Sequence, residues 1–116
     1  AVDRRDVPKP PADSGWFEVK RDSLVHESEV LRFSYTKPGG PDIWIAASGG
    51  RLIDLPGDEK INLGSRSVTI RSEGANTYYA MWQSQYASFQ LRLVPGEGKD
   101  LTKQQFIEVI QSLSWS

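Results

Sequence analysis

Cysteine is absent from this chain, and histidine occurs once, at His26. The first absence removes disulfides, thiol nucleophiles and thiolate metal sites together. It says little about compartment, because a chain of 116 residues can build a core without staples. Net charge is almost absent as well: 14 basic and 15 acidic residues are interspersed and sum to -1. Nothing resembles the basic footprint of a nucleic-acid binder, so nucleic acid is not expected as a partner. No apolar run approaches the ~20 residues that cross a bilayer as a helix. The chain opens on Ala1 with no signal peptide in view, so membrane association is expected only through an anchor missing upstream.

What is present is mostly period two. Residues 1–15, "AVDRRDVPKPPADSG", hold Pro8, Pro10 and Pro11, which favour extended backbone and deny helix. They are expected to form a leader or linker, and residues 16–116 a single domain. "WFEVKRDSLV" reads as a first strand and "HESE" as the turn after it. In "VLRFSY", Leu31, Phe33 and Tyr35 alternate with Arg32 and Ser34. "TKPGGPD" is dense in turn formers and leads into "IWIAAS", where Ile43, Ile45 and Ala47 share a face.

A looser stretch follows, "GGRLIDLPGDEK", expected to be irregular around Pro56–Gly57. "KINLGSRSVTIRSE" gives a short strand, a turn at Gly64–Ser65 and a strand with Val68 and Ile70 on one face. "TYYAMWQ" and "YASFQLRLV" read as a hairpin hinged near Ser84–Gln85, with Ala87, Phe89, Leu91 and Leu93 alternating. Connections this short favour antiparallel neighbours.

The period changes at the end of the chain. Phe106, Val109, Ile110 and Leu113 recur at helical spacing in "LTKQQFIEVIQSLSW". Thr102 and Gln105 have the spacing of a capping box, and Leu101 and Phe106 that of a hydrophobic staple. One apolar helical stripe needs one apolar sheet face. The expected fold class is α+β, an antiparallel β-sheet with one C-terminal α-helix packed on one face.

Chemistry is sparse. His26 lies between Val25 and Glu27 with no nucleophile elbow anywhere to serve as its partner. "DLPGDE" offers Asp54, Asp58 and Glu59 but lacks the dense alternation of a calcium loop. "PGEGKD" has the wrong glycine spacing, and Asp100 follows Lys99 where a phosphate loop needs Ser or Thr. No catalytic residue, cofactor or metal is expected. A small hydrolase would require His26 or the three acids to converge in a pocket.

The sheet face away from the helix is more informative. With Ile43, Ile45, Val68, Ile70, Phe89 and Leu91 inward, the expected outward set is Arg32, Trp44, Arg71, Tyr78, Trp82, Gln90 and Arg92. Arginines interleaved with tryptophans form cation–π pairs and are common interface anchors. Such a face suits a protein partner or a small anionic or sugar-like ligand. Two plainer roles are cross-strand pairing on an exposed face, or cover by the Pro-rich leader and Trp16. Under the binding reading, Trp44→Ala and Trp82→Ala are expected to abolish binding with the fold nearly intact.

Several of these motifs also carry a family resemblance. "PADSGWFEV" is similar to a Pro-x-x-Gly-aromatic lead-in to a first strand, and "EVLRFSYTKPGG" to a strand ending in Tyr before a Gly turn. "INLGSRSVTI", "YYAMWQSQYASFQLRL" and "LTKQQFIEVIQSL" are similar to a strand–turn–strand, a Trp-bearing hairpin and a closing helix. Together, from about Pro11 to Trp115, the chain resembles a DUF4367-type domain, found in bacterial lipoproteins and anti-sigma-factor-like proteins. Small α+β domains related to photosystem extrinsic proteins or lipoprotein carriers are similar alternatives. The resemblance implies an extracytoplasmic location and a sensing, binding or accessory role without catalytic residues. The alternative function is a purely structural domain that positions a neighbouring module.

Overall fold

The computed structural model describes residues 4–19, 29–85, 87–96 and 98–116. They form a seven-stranded antiparallel sheet and one C-terminal α-helix, as the periodicities predict. The strands are β1 (Phe17–Glu18), β2 (Glu29–Thr36), β3 (Asp42–Ser48), β4 (Glu59–Leu63), β5 (Arg66–Ser72), β6 (Tyr78–Gln83) and β7 (Ser88–Val94). Their order in the sheet is β1-β2-β3-β7-β6-β5-β4. Most of the expected first strand and the turn bearing His26 lie outside the described residues.

Alternation decides the two faces. Ile43, Ile45 and Ala47 of β3 are fully buried, and each lies opposite a buried β7 residue: Leu93, Leu91 and Phe89. Phe33 and Tyr35 extend this surface on β2, and Val68, Ile70 and Ala80 on β5 and β6. Each large aliphatic side chain buried this way contributes ~1.5–3 kcal/mol, so the sheet core dominates the fold. The β2–β3 turn uses Gly39 and Gly40 at φ +80 and +53, a region closed to most residues, and Gly40 N–H donates to Lys37 O. The sheet's edges are protected by brevity at β1, which has two residues, and by Glu59 and Lys60 at the start of β4.

The helix α1 (Lys103–Ser112) begins at an observed capping box, with Thr102 and Gln105 each accepting from the other's backbone N–H. Phe106, Ile110 and Leu113 are buried on the sheet. Phe106 meets Tyr78 of β6 at 5.8 Å between ring centroids.

The proline-rich start is more than a linker. Arg4–Asp6 form a 3-10 turn, Val7 and Pro8 are buried, and Lys9 pairs with Ser114 through two backbone hydrogen bonds. Asp6 accepts from Arg66 at 2.6 Å. This arm is wedged at the end of the helix. Composition points to a leader because the prolines dominate it, whereas two apolar side chains suffice to dock it.

Between β3 and β4 the chain must pass β7, β6 and β5, four strand spacings or about 19 Å. Residues 49–58 make that crossing on the side of the sheet away from α1. Leu52 N–H donates to the Gln83 side chain, and Arg71 donates to Ile53 O. This strap, irregular as expected, is what shapes the second face.

Candidate functional site: the strapped face of the sheet

The helix-free face is organised in rungs across the strands. One rung runs Ser34, Trp44, Arg92, Tyr79 and Arg71, and the next runs Arg32, Ala46, Gln90, Met81 and Thr69. Residues directly opposite in an antiparallel pair share a face. Arg32, Trp44, Arg71, Gln90 and Arg92 therefore lie together on this face, as the alternation predicts.

Tyr78 and Trp82 do not join them. Both belong to the helix face: Tyr78 packs against Phe106, and Trp82 is 1% exposed. Trp82 stacks on Phe89 at 5.3 Å, meets the edge of Trp115 at 4.9 Å and donates its Nε1–H to Asp6 O. The expectation of an outward Trp82 whose removal spares the fold is thus corrected. The cause is a one-residue reversal of facing along β6, where Ala80 between Tyr78 and Trp82 is also inward and fully buried. Tyr79, Met81 and Gln83 occupy the outward positions instead.

Gln83 is a positional anchor. Its side-chain amide donates to Ser84 O and Ala87 O while its carbonyl accepts from Leu52 N–H. It thereby clamps the strap to the β6–β7 hairpin. The second anchor is Arg71, which grips both carboxylate oxygens of Asp58 at 2.8 and 3.0 Å and reaches Ile53 O at 2.8 Å. A bidentate guanidinium–carboxylate pair gives geometric specificity as well as strength.

Between strap and sheet lies an open cleft of about 480 Å³. Its floor includes Ala46, Met81 and Gln90, and its roof Leu52, Ile53 and Leu55. Ile53 and Leu55 are 71% and 50% exposed, which leaves the strap's apolar side chains open to solvent. A second, smaller cleft of about 170 Å³ shares Ala46 and Gln90 with the first and is lined by Arg32, Trp44 and Arg92. The Arg92 guanidinium sits 4.8 Å from the centre of the Trp44 ring. The two clefts adjoin at Ala46 and Gln90, which line both, and together make up a trough.

The three acids of the strap do not gather. Asp58 holds Arg71, Asp54 reaches Lys60 at 3.2 Å, and Glu59 faces Lys103 of the helix. No cluster suited to a metal ion occurs among the described residues. His26 lies outside the described residues. No helix of the described residues is long and apolar enough to cross a membrane.

The Arg71 guanidinium, with a further hydrogen bond from Leu55 N–H, holds the Asp58 carboxyl down at about 2. Its folded value lies below the unfolded one, so the pair's stabilisation is full above pH ~4 and is lost as pH falls through about 2. Asp58→Asn is expected to remove that dependence. Its melting temperature should lie below the wild type's at pH 6 and converge with it near pH 2. A gap that stays constant over that range would show that the pair is not what titrates.

No protein-family model matches the chain, and neither the curated proteins nor the solved structures contain a match. The sequence signals for this site were partial. Arginine and tryptophan at alternating positions mark the face, but the strap's Leu52, Ile53 and Leu55 carry no periodicity that would place them over it.

Proposed function

We propose that this domain is a non-enzymatic binding module that uses the strapped, helix-free face of its sheet. The observation that carries this reading is the cleft of about 480 Å³ between the strap and the sheet, a volume within the usual range of ligand sites. Its walls combine apolar side chains with Gln90, Ser48, Ser88, Arg51 and Arg71, polar groups able to orient an occupant. A location outside the cytoplasm, with a sensing or accessory role, rests on the resemblance to DUF4367-type domains. The alternative is a purely structural domain that positions a neighbouring module. A hydrolase reading is the weakest, since Asp54, Asp58 and Glu59 each answer a different cation.

A neutral apolar dye tests the binding face. N-phenylnaphthylamine is expected to brighten with the native protein, and Ala46→Trp, which fills the trough floor, to abolish the effect. The circular dichroism and melting temperature of that variant should match the wild type's, since Ala46 points away from the core. Absence of enhancement with the native wild type would overturn the proposal. Undiminished enhancement in the folded variant would move the site elsewhere.

A further inference from the structure

We infer that the trough takes a single-chain acyl carboxylate, its chain under the strap and its head at Arg92. The inference rests on the binding role proposed above and names the class of ligand. Three features of the face carry it.

The first is the uneven distribution of apolar side chains along the trough, which gather at the strap end. The strap end has Met81 below and Leu52, Ile53 and Leu55 above, with Arg51 and Arg71 also in its lining, while the other end carries Arg92 and Arg32 beside Trp44. Ala46, Gln90 and Met81 lie opposite one another on three adjacent strands, so this rung of the floor spans about 10 Å. That suits an extended molecule of medium chain length.

The second is charge. Among the described residues, no carboxylate lines either cleft. Arg92 has no carboxylate partner among the described residues, and its guanidinium is held by the Trp44 ring on a central strand. A half-buried guanidinium in a fixed orientation is prepared to grip a carboxylate through two parallel hydrogen bonds. Arg71 cannot serve, because Asp58 and Ile53 O already occupy it. Arg51 is on the exposed strap, where a long side chain loses more freedom on binding.

The third is the poverty of hydrogen-bonding groups. A sheet presents its backbone N–H and C=O groups along its edges, so a ligand lying on the face meets side chains only. A peptide would bring one donor and one acceptor per residue into a trough with few partners for them. A sugar would find the face of Trp44 already occupied by Arg92. An acyl chain demands nothing of the floor, and its single polar group meets Arg92.

The probe is decanoate at pH 7.5, below its micelle-forming concentration, titrated calorimetrically into the intact chain alongside decanol. Saturable one-to-one binding is expected, with decanoate about tenfold or more tighter than decanol, the worth of one charge-assisted contact. Arg92→Gln should erase that preference by weakening decanoate alone, and Arg92→Lys should keep part of it. Ala46→Trp should abolish both ligands. Melting temperatures of the variants establish that they are folded, and Arg92→Lys keeps the test decisive where Arg92→Gln is unstable.

Equal affinity for decanoate and decanol in the wild type would overturn the head-group assignment, as would a preference that survives Arg92→Gln. Binding of N-phenylnaphthylamine without any binding of decanoate would overturn this ligand class while leaving the binding face standing. Failure of the dye as well would remove both. Saturable binding of acetyl-leucyl-leucine amide in place of decanoate would overturn the inference in favour of a peptide occupant.

Discussion

Replacing Trp82 with alanine is expected to lower the free energy of unfolding by about 3–5 kcal/mol, the range for an aromatic core deletion. Four groups lose a partner at once: the Phe89 ring at 5.3 Å, the Trp115 ring at 4.9 Å, the Asp6 carbonyl and the surrounding aliphatic surface. Asp6 also anchors the N-terminal arm through Arg66, so the arm should loosen with the core. Trp82→Phe separates the contributions. It keeps a ring on Phe89 but removes the donor to Asp6 O, a loss of about 1 kcal/mol. Urea titration of both variants measures the difference. A loss below about 1 kcal/mol for the alanine variant would contradict burial of the indole, because a cavity of that size cannot be cost-free.

Gly64→Ala is expected to destabilise by about 3 kcal/mol, although it adds a single carbon to an exposed turn. Gly64 sits in the β4–β5 turn at φ +62, and an added Cβ would come 2.9 Å from Trp115 O and 3.2 Å from Trp115 Cβ. Two costs combine, a left-handed backbone and a collision with the C-terminal tail. Gly64→Asn distinguishes them, because asparagine tolerates the left-handed region but brings the same Cβ. An asparagine variant as unstable as the alanine one would identify the collision as the larger of the two costs. Near-wild-type stability for both in chemical denaturation would show that the tail yields freely. The tail also carries Ser114, which pairs with Lys9, so a displaced Trp115 should weaken the N-terminal arm as well.

The two variants meet at one cluster, and that cluster was the least legible part of the sequence. Strand alternation in "IWIAAS" and "SFQLRLV" names the inward residues directly, because one face of each is uniformly apolar. The capping box and the apolar stripe of α1 are equally plain. In "TYYAMWQ" both faces begin with a tyrosine, so apolarity alone does not separate them. The hairpin does. With Phe89 inward and the reversal between Ser84 and Ala87, the residue opposite Phe89 must be inward too, and that residue is Trp82. Gln83, the polar member of the alternate set, points the same way. The arm and the strap are different, because their placement comes from contacts 30 or more residues away: Asp6 O with Trp82 and Leu52 with Gln83. No local pattern encodes such a partner. The cationic part of the candidate site was readable, whereas its roof and its Met81 floor were not.

The place of β7 has a bearing on how the molecule comes to be. The last strand in sequence lies between β3 and β6, so it joins two antiparallel meanders that the chain completes earlier. Until it arrives, β3 and β6 each present an open row of amide and carbonyl groups, flanked by Ile43, Ile45 and Trp82. Such edges accept a strand from any chain nearby. Pairing of Asp42 with Val94 and of Ser48 with Ser88 closes loops far longer than any hairpin here, a topology that slows folding. A chain still on the ribosome, or one truncated before Ser88, therefore carries two adhesive edges that the finished protein never shows.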